Sequence, residues 1–246
     1  MIVLGIDFGA SLTKAVLVED GKIIRRHISE QVALDVLLRK FSCPRVAITG
    51  GRSKFMKSFQ LIDEISAIGA GGASLGMNDA IIVSAGTGTC IVDPPARHLG
   101  GTGVGGGTLL GLSRLILNTG DIAEIGRLAE KGNPDKVDLS VSDIIGSGIG
   151  AVPGEATASN FGKLASSSRE DLAAAILKLV AETVSMMAVL AARGAAKANV
   201  VLIGTTATLK PVQAYAKKIG KIFKVSFKVP KDAEYATAYG AAILAK

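Results

Sequence analysis

Hydrophobic runs separated by short polar turns open the chain. Predicted strands occupy, in order, residues 1–7, 15–18, 22–27 and 45–49. Asp20-Gly21, between the second and third strands, is a dipeptide typical of a tight hairpin turn. Residues 30–40 have helical spacing, and the region 54–75 is predicted to be mostly helical. The first third of the chain therefore predicts an α/β unit that begins with an antiparallel meander.

The same arrangement restarts in the middle of the chain. Strands are predicted at 80–84 and 89–93, on either side of a turn with two glycines, much as strands flank the turn that begins near residue 7. We interpret this as an internal duplication, in which each half offers a hairpin tip to a shared cleft. The predicted halves are 1–78 and 79–246, and they should pack closely because no linker-like composition separates them.

The second half is richer in helix. Helices are predicted at 108–117, 122–130 and 235–244, with a strand at 200–203. Ser167 and Glu170 have the spacing of a capping box. Beyond them, apolar residues recur at helical spacing from Leu172 to Ala191, which is the pattern of a helix packed into a core.

Composition is that of a globular protein with an unusual number of glycines. Hydrophobic residues make up 48% and charged residues 20%, and the 30 glycines cluster in short loops without a Gly-x-y period. The formal net charge is +7, but Lys and Arg are scattered and no basic stretch is interleaved with aromatic residues. We therefore expect no nucleic acid partner and interpret the charge as a solvated surface with some steering of anions.

The cysteines and the pattern at the N-terminus bear on the cellular location of the protein. Cys43 and Cys90 lie far apart and form no CxxC pair, which fits a reducing compartment. The sequence enters a strand pattern at once, without the basic segment of a signal peptide. The longest uncharged run, 99–113, is rich in glycine and shorter than the ~18 apolar residues of a spanning helix. These observations predict a cytoplasmic protein without a membrane partner.

The first candidate site follows the first strand. Asp7, at a strand end, can hold Mg²⁺ directly or through water. Gly9 lets the backbone approach a phosphate, and Ser11 and Thr13 can donate to phosphate oxygens. Lys14 can neutralise the charge that develops on a transferred phosphoryl group. An ordinary surface hairpin would show the same residues, so this segment alone does not decide the matter.

Two further glycine-rich loops share this character. The N–H groups and hydroxyls of residues 86–89 can form an anion nest. Residues 100–107 lead into a helix, whose free N–H groups and dipole favour an anion. The loop 100–107 is neither a Walker A sequence nor a Rossmann fingerprint. A hairpin turn or a flexible loop would explain either one alone, but three such loops on two similar halves favour a triphosphate site.

With these loops, the chain resembles the superfamily of actin, sugar kinases and heat-shock chaperones. It is most similar to the type II pantothenate kinases, because five segments follow the order seen in that family: 7–14, 86–89, 100–111, 137–141 and 152–162. The last two segments are the most specific, since generic sugar kinases lack them. The resemblance spans nearly the whole chain.

The resemblance implies a fold and an activity. The fold is α/β, with two ribonuclease H-like halves of the actin/hexokinase-like superfamily around a central nucleotide cleft. The activity is phosphorylation of pantothenate to 4'-phosphopantothenate, the first step of coenzyme A biosynthesis. ATP and Mg²⁺ are the implied cofactors, and a homodimer is the implied assembly.

The resemblance also implies roles for individual residues. Glu64 matches the general base, with Asp63 as the competing carboxylate and Lys14 as the second catalytic residue. Expected nucleotide contacts are Asp7, which also holds the metal, Gly9, Ala10, Ser11, Thr13, Lys14, Gly86, Thr87, Gly88, Gly105, Gly106, Gly107, Thr108, Leu109, Gly204 and Thr205. Expected substrate contacts are Glu64, Thr87, His98, Gly100, Gly101, Thr102 and, across a dimer interface, Thr157 and Ala158.

One departure from the family pattern keeps other functions open. His98 stands where the family has an arginine for the pantothenate carboxylate, and the adjacent Arg97 would face the other side of a strand. A kinase for a related hydroxy acid or a sugar is therefore an alternative. An ATPase activator with an iron–sulfur cluster is another, although Cys43 and Cys90 fall in different halves. A catalytically silent actin-like scaffold is the last.

Overall fold

Two five-stranded sheets form the framework of the protein. A computed structural model describes residues 1–30, 33–55, 59–150 and 152–245. The strands are β1 (Ile2–Phe8), β2 (Thr13–Glu19), β3 (Lys22–Ser29), β4 (Val46–Thr49), β5 (Gln60–Leu61), β6 (Ile81–Ala85), β7 (Thr89–Asp93), β8 (Arg97–Thr102), β9 (Leu139–Ser140), β10 (Thr157–Ser159), β11 (Asn199–Ile203) and β12 (Ser226–Lys228). The helices are α1 (Leu34–Phe41), α2 (Glu64–Leu75), α3 (Gly106–Leu117), α4 (Ile122–Lys131), α5 (Val141–Ile145), α6 (Arg169–Gly194), α7 (Lys210–Phe223) and α8 (Ala236–Leu244).

The two sheets have the same topology. The first sheet has the order β3-β2-β1-β4-β5, and the second has the order β12-β11-β6-β7-β8, which is equivalent when read from its other edge. In each sheet the first strand begins an antiparallel meander and pairs in parallel with a later strand, β4 or β11. The α/β class and the two related sheet-containing halves are confirmed. The boundary at residue 78 stays a prediction.

Helices cover both faces of each sheet. One face of the first sheet packs against Leu37 and Phe41 of α1, and the other packs against α8. One face of the second sheet packs against α2, and the opposite face carries the largest core cluster, with apolar residues of α3, α4, α6 and α7. The last helix of the chain thus returns to the first sheet, where it covers β1 and β2.

The α2–α8 pair lies between the sheets and brings them together at short range. A Cβ atom on Gly71 of α2 would lie 1.9 Å from the carbonyl oxygen of Ala236, and one on Gly240 of α8 would lie 1.9 Å from that of Ala67. On its other side, Gly72 would carry a Cβ within 2.3 Å of Ile82 in β6. Only hydrogen at these positions permits such contact, so small residues set the separation of the two halves.

Several predicted boundaries are corrected. The helix predicted from residue 30 begins at Leu34, and residues 31–32 lie outside the described residues. The mostly helical region 54–75 is wrong in its first part, because a strand at 60–61 precedes α2, while residues 56–58 lie outside the described residues. The predicted capping box is displaced by one residue: Ser168 caps α6, and its hydroxyl accepts from the N–H of Asp171 at 3.2 Å.

The longest helix is the core helix that the apolar stripe predicted. By length and composition α6 could cross a membrane, but 67% of its most apolar window is buried inside the protein. The helix lies against β6 and β11 and against α3, α4 and α7. Burial of this kind is what the core helix of a globular domain shows.

The α2–α8 contact generates a prediction about stability. Gly71→Ala should lower the free energy of unfolding by about 1–3 kcal/mol, because the added methyl group has no space beside Ala236. Gly126→Ala is the matched control, since a Cβ there meets nothing within 4 Å and a helical alanine gains about 0.5–1 kcal/mol over glycine. Urea denaturation measures both. A Gly71→Ala protein as stable as the control would show that the helices do not meet this closely.

Candidate active site

The first hairpin places a buried ion pair at the end of β1. Asp7 pairs in register with Lys14 on β2 and with Thr49 on β4, so the three residues form one row across the sheet. The Lys14 Nζ lies 3.7 Å from Oδ2 of Asp7, and only 5% of Asp7 and 8% of Lys14 are exposed. Burial raises the pKa of the Asp7 carboxyl above its ordinary value, and the charge of Lys14 opposes that rise.

This carboxylate fits the role of holding a magnesium ion. A buried, ionised carboxylate is costly, and a nearby divalent cation would remove much of that cost. The hydroxyl of Thr49, which lies beside Asp7 in register, is buried and has no hydrogen-bond partner. The described residues contain no group of three His, Cys, Asp or Glu side chains close enough for a metal. A single carboxylate suits Mg²⁺, which keeps several waters and shares phosphate oxygens.

The second hairpin is fixed by the start of α3. The N–H of Gly106 donates to the carbonyl of Gly86 at 2.8 Å, and the N–H of Gly107 donates to that of Thr87 at 2.8 Å. A Cβ on Gly105 would lie 2.8 Å from the oxygen of Thr87, so the glycines allow this approach. Two N–H groups expected to face an anion are therefore committed to protein carbonyls. In this structure the first turn of α3 holds the hairpin in place.

The two hairpin tips meet. The hydroxyls of Ser11 and Thr87, 76 residues apart in sequence, form a hydrogen bond of 2.9 Å. Ser11 belongs to the tip between β1 and β2, and Thr87 belongs to the tip between β6 and β7. The turns that the sequence analysis singled out therefore converge on one region.

A third loop joins the second hairpin. Gly204 follows β11, the parallel neighbour of β6, and has a φ of +92°, which favours glycine. The N–H of Gly204 donates to the carbonyl of Ala233 at 2.8 Å, and the hydroxyl of Thr206 donates to that of Gly86 at 3.1 Å. The Thr205 hydroxyl is buried without a partner. This loop therefore lies beside residues 86–88 and carries a polar atom that a ligand can satisfy.

The acidic candidates lie at the start of α2. Asp63 caps the helix, and its carboxylate accepts from the N–H and the hydroxyl of Ser66, both at 2.9 Å. Glu64 is the first helical residue and is exposed. Burial, and after it the negative charge of Glu64, raises the pKa of the Cys90 thiol on β7 to about 11. Glu64 thus lies close enough to the second sheet to act on it electrostatically, while Asp63 is occupied as a cap.

The strand β8 carries the departure from the family pattern. His98 is exposed and pairs in register with Val92, a residue that packs in the same cluster as Ile68 of α2. Arg97 forms an ion pair with Asp93 at 2.7 Å. That contact holds the guanidinium of Arg97 beside β7. Gly100, Gly101 and Thr102 continue the strand toward the start of α3.

The segment with Thr157 and Ala158 is built from a different set of contacts. The Thr157 hydroxyl donates to Glu182 of α6 at 2.9 Å, and the N–H of Phe161 donates to Asp138 at 2.9 Å. Asp138 is 1% exposed and pairs with Lys178 at 3.1 Å. A buried ionic network therefore fixes this segment on α6, and Ala158 is exposed. The described hydrogen bonds of the segment do not join it to the hairpin tips.

One polar residue at the site was missed by sequence reasoning. Arg52 follows β4 and donates from Nη1 to the carbonyl of Gly9 at 3.4 Å. The available signal was its place after Gly50 and Gly51, at the end of a strand. Its proximity to the first hairpin depends on the parallel pairing of β4 with β1, which the sequence alone does not reveal.

Comparison with solved structures defines the fold of this protein. The activator of the 2-hydroxyisocaproyl-CoA dehydratase from Clostridium difficile, solved with bound ADPNP, matches with a TM-score of 0.71 and 21% identity over 100% of this chain and 94% of the other. A ROK family glucokinase from Streptomyces griseus, in complex with glucose and AMPPNP, matches with a TM-score of 0.61 and 12% identity over 100% and 99%. The protein has the actin/hexokinase-like fold, and these similarities concern the fold alone.

Sequence comparison is more specific. The family model Fumble matches residues 78–216. A type II pantothenate kinase of Oceanobacillus iheyensis is 33% identical over 222 residues, which are 83% of this chain and 84% of the relative. One of Bacillus cereus (strain ATCC 14579) is 30% identical over 228 residues, 82% and 83% of the two chains. The chain belongs to the Fumble family, that of the type II pantothenate kinases, and is a kinase.

The junction between the second hairpin and α3 generates a prediction about nucleotide binding. A Cβ on Gly106 would lie 2.7 Å from the Thr206 hydroxyl and 3.0 Å from the oxygen of Gly86, so Gly106→Ala should push these loops apart. We expect the affinity for a non-hydrolysable ATP analogue, measured by calorimetry, to fall at least about 10-fold, since a lost network of hydrogen bonds costs over ~1.4 kcal/mol.

Gly103→Ala is the control in the same loop, because a Cβ there meets nothing within 4 Å. Its affinity should stay close to that of the unmodified protein. Equal affinities for both variants would mean that the junction does not shape the nucleotide site.

Proposed function

We propose that this protein transfers the γ-phosphoryl group of ATP to the primary hydroxyl of pantothenate, which forms 4'-phosphopantothenate at the start of coenzyme A biosynthesis. The observation that carries the proposal is the Ser11–Thr87 contact of 2.9 Å, which brings two hairpins from similar sheets to one point. The matching relatives, which are named type II pantothenate kinases, support the choice of acceptor.

The residues of the two hairpins would bind and orient the phosphates. Backbone N–H groups at Gly9, Ala10 and Gly88, with the hydroxyls of Ser11 and Thr87, would surround the terminal phosphates. A Mg²⁺ bound with the nucleotide would neutralise phosphate charge, and Asp7 would hold its water shell. Lys14, adjacent to Asp7, would stabilise the charge of the transferred group.

Glu64 would accept the proton of the attacking hydroxyl. It lies at the start of α2, near β7, whereas the competing carboxylate of Asp63 is committed to capping the same helix. Closure of the cleft over a bound acceptor would increase the basicity of this carboxylate by removing water. Catalysis would therefore rest on positioning and charge stabilisation rather than on a covalent intermediate.

We include a homodimer in this proposal. The Asp138–Lys178 ion pair and the hydrogen bond from Thr157 to Glu182 hold the segment with Thr157 against α6. From this position, Thr157 would complete the acceptor pocket of a second copy. Large apolar side chains are exposed near that segment: Ile144 at 60%, Ile149 at 62% and Leu164 at 59%. Burial of such residues against a second copy would remove apolar surface from water.

A related hydroxy acid or a sugar is the second candidate acceptor, and His98 favours it. Histidine cannot form the bidentate hydrogen bonds of arginine with a carboxylate, and Arg97 is engaged by Asp93. A panel of hydroxy acids and sugars, assayed with ATP, separates the two candidates. Phosphorylation of another alcohol but not of pantothenate would reject pantothenate as the acceptor and leave the assignment as a kinase unchanged.

The role of Glu64 is tested by Glu64→Gln. We expect kcat for phosphopantothenate formation to fall about 10²- to 10⁴-fold, because the amide cannot accept the proton, while ATP affinity stays unchanged. Glu130→Gln, at the exposed end of α4, is the control and should behave as the unmodified enzyme. If Glu64→Gln keeps its kcat, the base is another group, and Asp63→Asn is the next variant to assay.

The acceptor pocket is tested by His98→Arg. If the missing arginine limits pantothenate binding, the KM for pantothenate should fall roughly 10-fold, the size expected of one charge-assisted hydrogen bond. The KM for ATP should not change. An unchanged KM for pantothenate would show that this position does not contact the carboxylate.

A further inference from the structure

Arg52 lies beside the first hairpin. It lies in a single helical turn, Gly51–Phe55, directly after β4. Because β4 runs parallel to β1 and pairs Thr49 with Asp7, both strands end at the same edge of the sheet. The turn therefore begins at the same edge of the sheet as the first hairpin tip, beside Asp7.

The backbone of this turn is held tightly against β1. Gly50 has a φ of +93°, and a Cβ there would lie 2.7 Å from both the Asp7 carboxylate and the oxygen of Phe8. Ser53 is 6% exposed, and its N–H and hydroxyl donate to the carbonyl of Gly50 at 3.0 and 2.7 Å. No side chain other than hydrogen fits at residue 50, so the close approach of the turn to Asp7 is a fixed feature of the fold.

The guanidinium of Arg52 is directed to the hairpin tip. Its Nη1 lies 3.4 Å from the carbonyl oxygen of Gly9, and the residue is half-buried. A guanidinium has five N–H donors in a planar fork, so this long bond leaves donors for a second acceptor. Phosphate oxygens bound at Ser11 and Gly9 would lie within reach of such a fork.

A bound triphosphate would be stabilised by a cation in addition to Lys14 and a nucleotide-bound Mg²⁺. The charge of Lys14 is shared, because its Nζ also lies 3.7 Å from the Asp7 carboxylate. The other loops of the site, residues 86–89, 100–107 and 204–206, contain neither Lys nor Arg. A bound triphosphate carries several negative charges, and phosphoryl transfer spreads charge over the equatorial oxygens of the moving group. Arg52 lies beside the first hairpin and has no ion-pair partner among the contacts described, so its charge can act on a bound phosphate.

We propose that Arg52 binds the phosphoryl group that is transferred, as a catalytic residue that acts together with Lys14. This inference rests on the proposed function, since it assigns the first hairpin to the terminal phosphate of ATP. An ADP molecule lacks the group that Arg52 would contact. Arg52 should therefore contribute to the affinity for an ATP analogue and not to the affinity for ADP.

The test compares Arg52→Gln with the unmodified enzyme. Calorimetry with a non-hydrolysable ATP analogue and with ADP should show that the preference for the analogue falls about 10-fold, and kcat should fall on the order of 10²-fold. Arg52→Lys should lose less, because it keeps the charge without the fork. Arg45→Gln is the matched control: it removes the same charge from the exposed residue before β4, at the other end of that strand, and should change neither quantity.

An Arg52→Gln enzyme with an unchanged preference and an unchanged kcat would overturn the inference. A second measurement uses the unmodified enzyme and does not depend on the stability of the variants. The ATP analogue should protect Arg52 from an arginine-specific dicarbonyl reagent, measured by peptide mass spectrometry, whereas ADP should not; equal modification with both nucleotides overturns it. Nucleotide binding and protection from the reagent need no acceptor, so both measurements give a result even if pantothenate is not phosphorylated. A failure to phosphorylate pantothenate would then reject the proposed function alone.

Discussion

The separation of the two sheets is the constraint on which the site depends. Helices α2 and α8 cross between the sheets with glycines facing carbonyl oxygens, at Gly71 against Ala236 and at Gly240 against Ala67. Side chains of ordinary size would push the sheets apart. The hydroxyls of Ser11 and Thr87, which depend on that separation, would then lose their contact. Small residues far from the hairpin tips thus control the geometry of the cleft.

Each half supplies a different part of the proposed chemistry. The first hairpin carries the charged groups, with Asp7 and Lys14 buried side by side and Arg52 beside them. The second hairpin carries no charge and is instead fixed by hydrogen bonds from α3 and from Thr206. A charged half and a rigid neutral half together can bind a triphosphate and resist its displacement during transfer. Glu64 stands between them, because α2 contacts both sheets.

The local parts of this structure were predictable, and the long-range parts were not. The hairpins around Asp7 and Thr87 have strong local signals, namely alternating apolar strands and glycine-containing turns. A strand at Arg97 was expected but its bounds were not predicted, because Gly100 and Gly101 weaken the pattern of β8, and α7 was missed because no side chain caps its start. The return of α8 to the first sheet and the place of Arg52 both follow from pairing between distant segments, which periodicity does not encode. The anion site expected at α3 is altered for the same reason: the N–H groups of Gly106 and Gly107 found carbonyl partners in another hairpin.

The central claim is that both hairpin tips bind one triphosphate, with Glu64 near the acceptor. A crystal structure with a non-hydrolysable ATP analogue, Mg²⁺ and pantothenate tests it most directly. The account predicts the terminal phosphate between Ser11 and Thr87, with the acceptor hydroxyl within hydrogen-bond distance of Glu64. A triphosphate bound away from either hairpin, or an acceptor hydroxyl out of reach of Glu64, would contradict it.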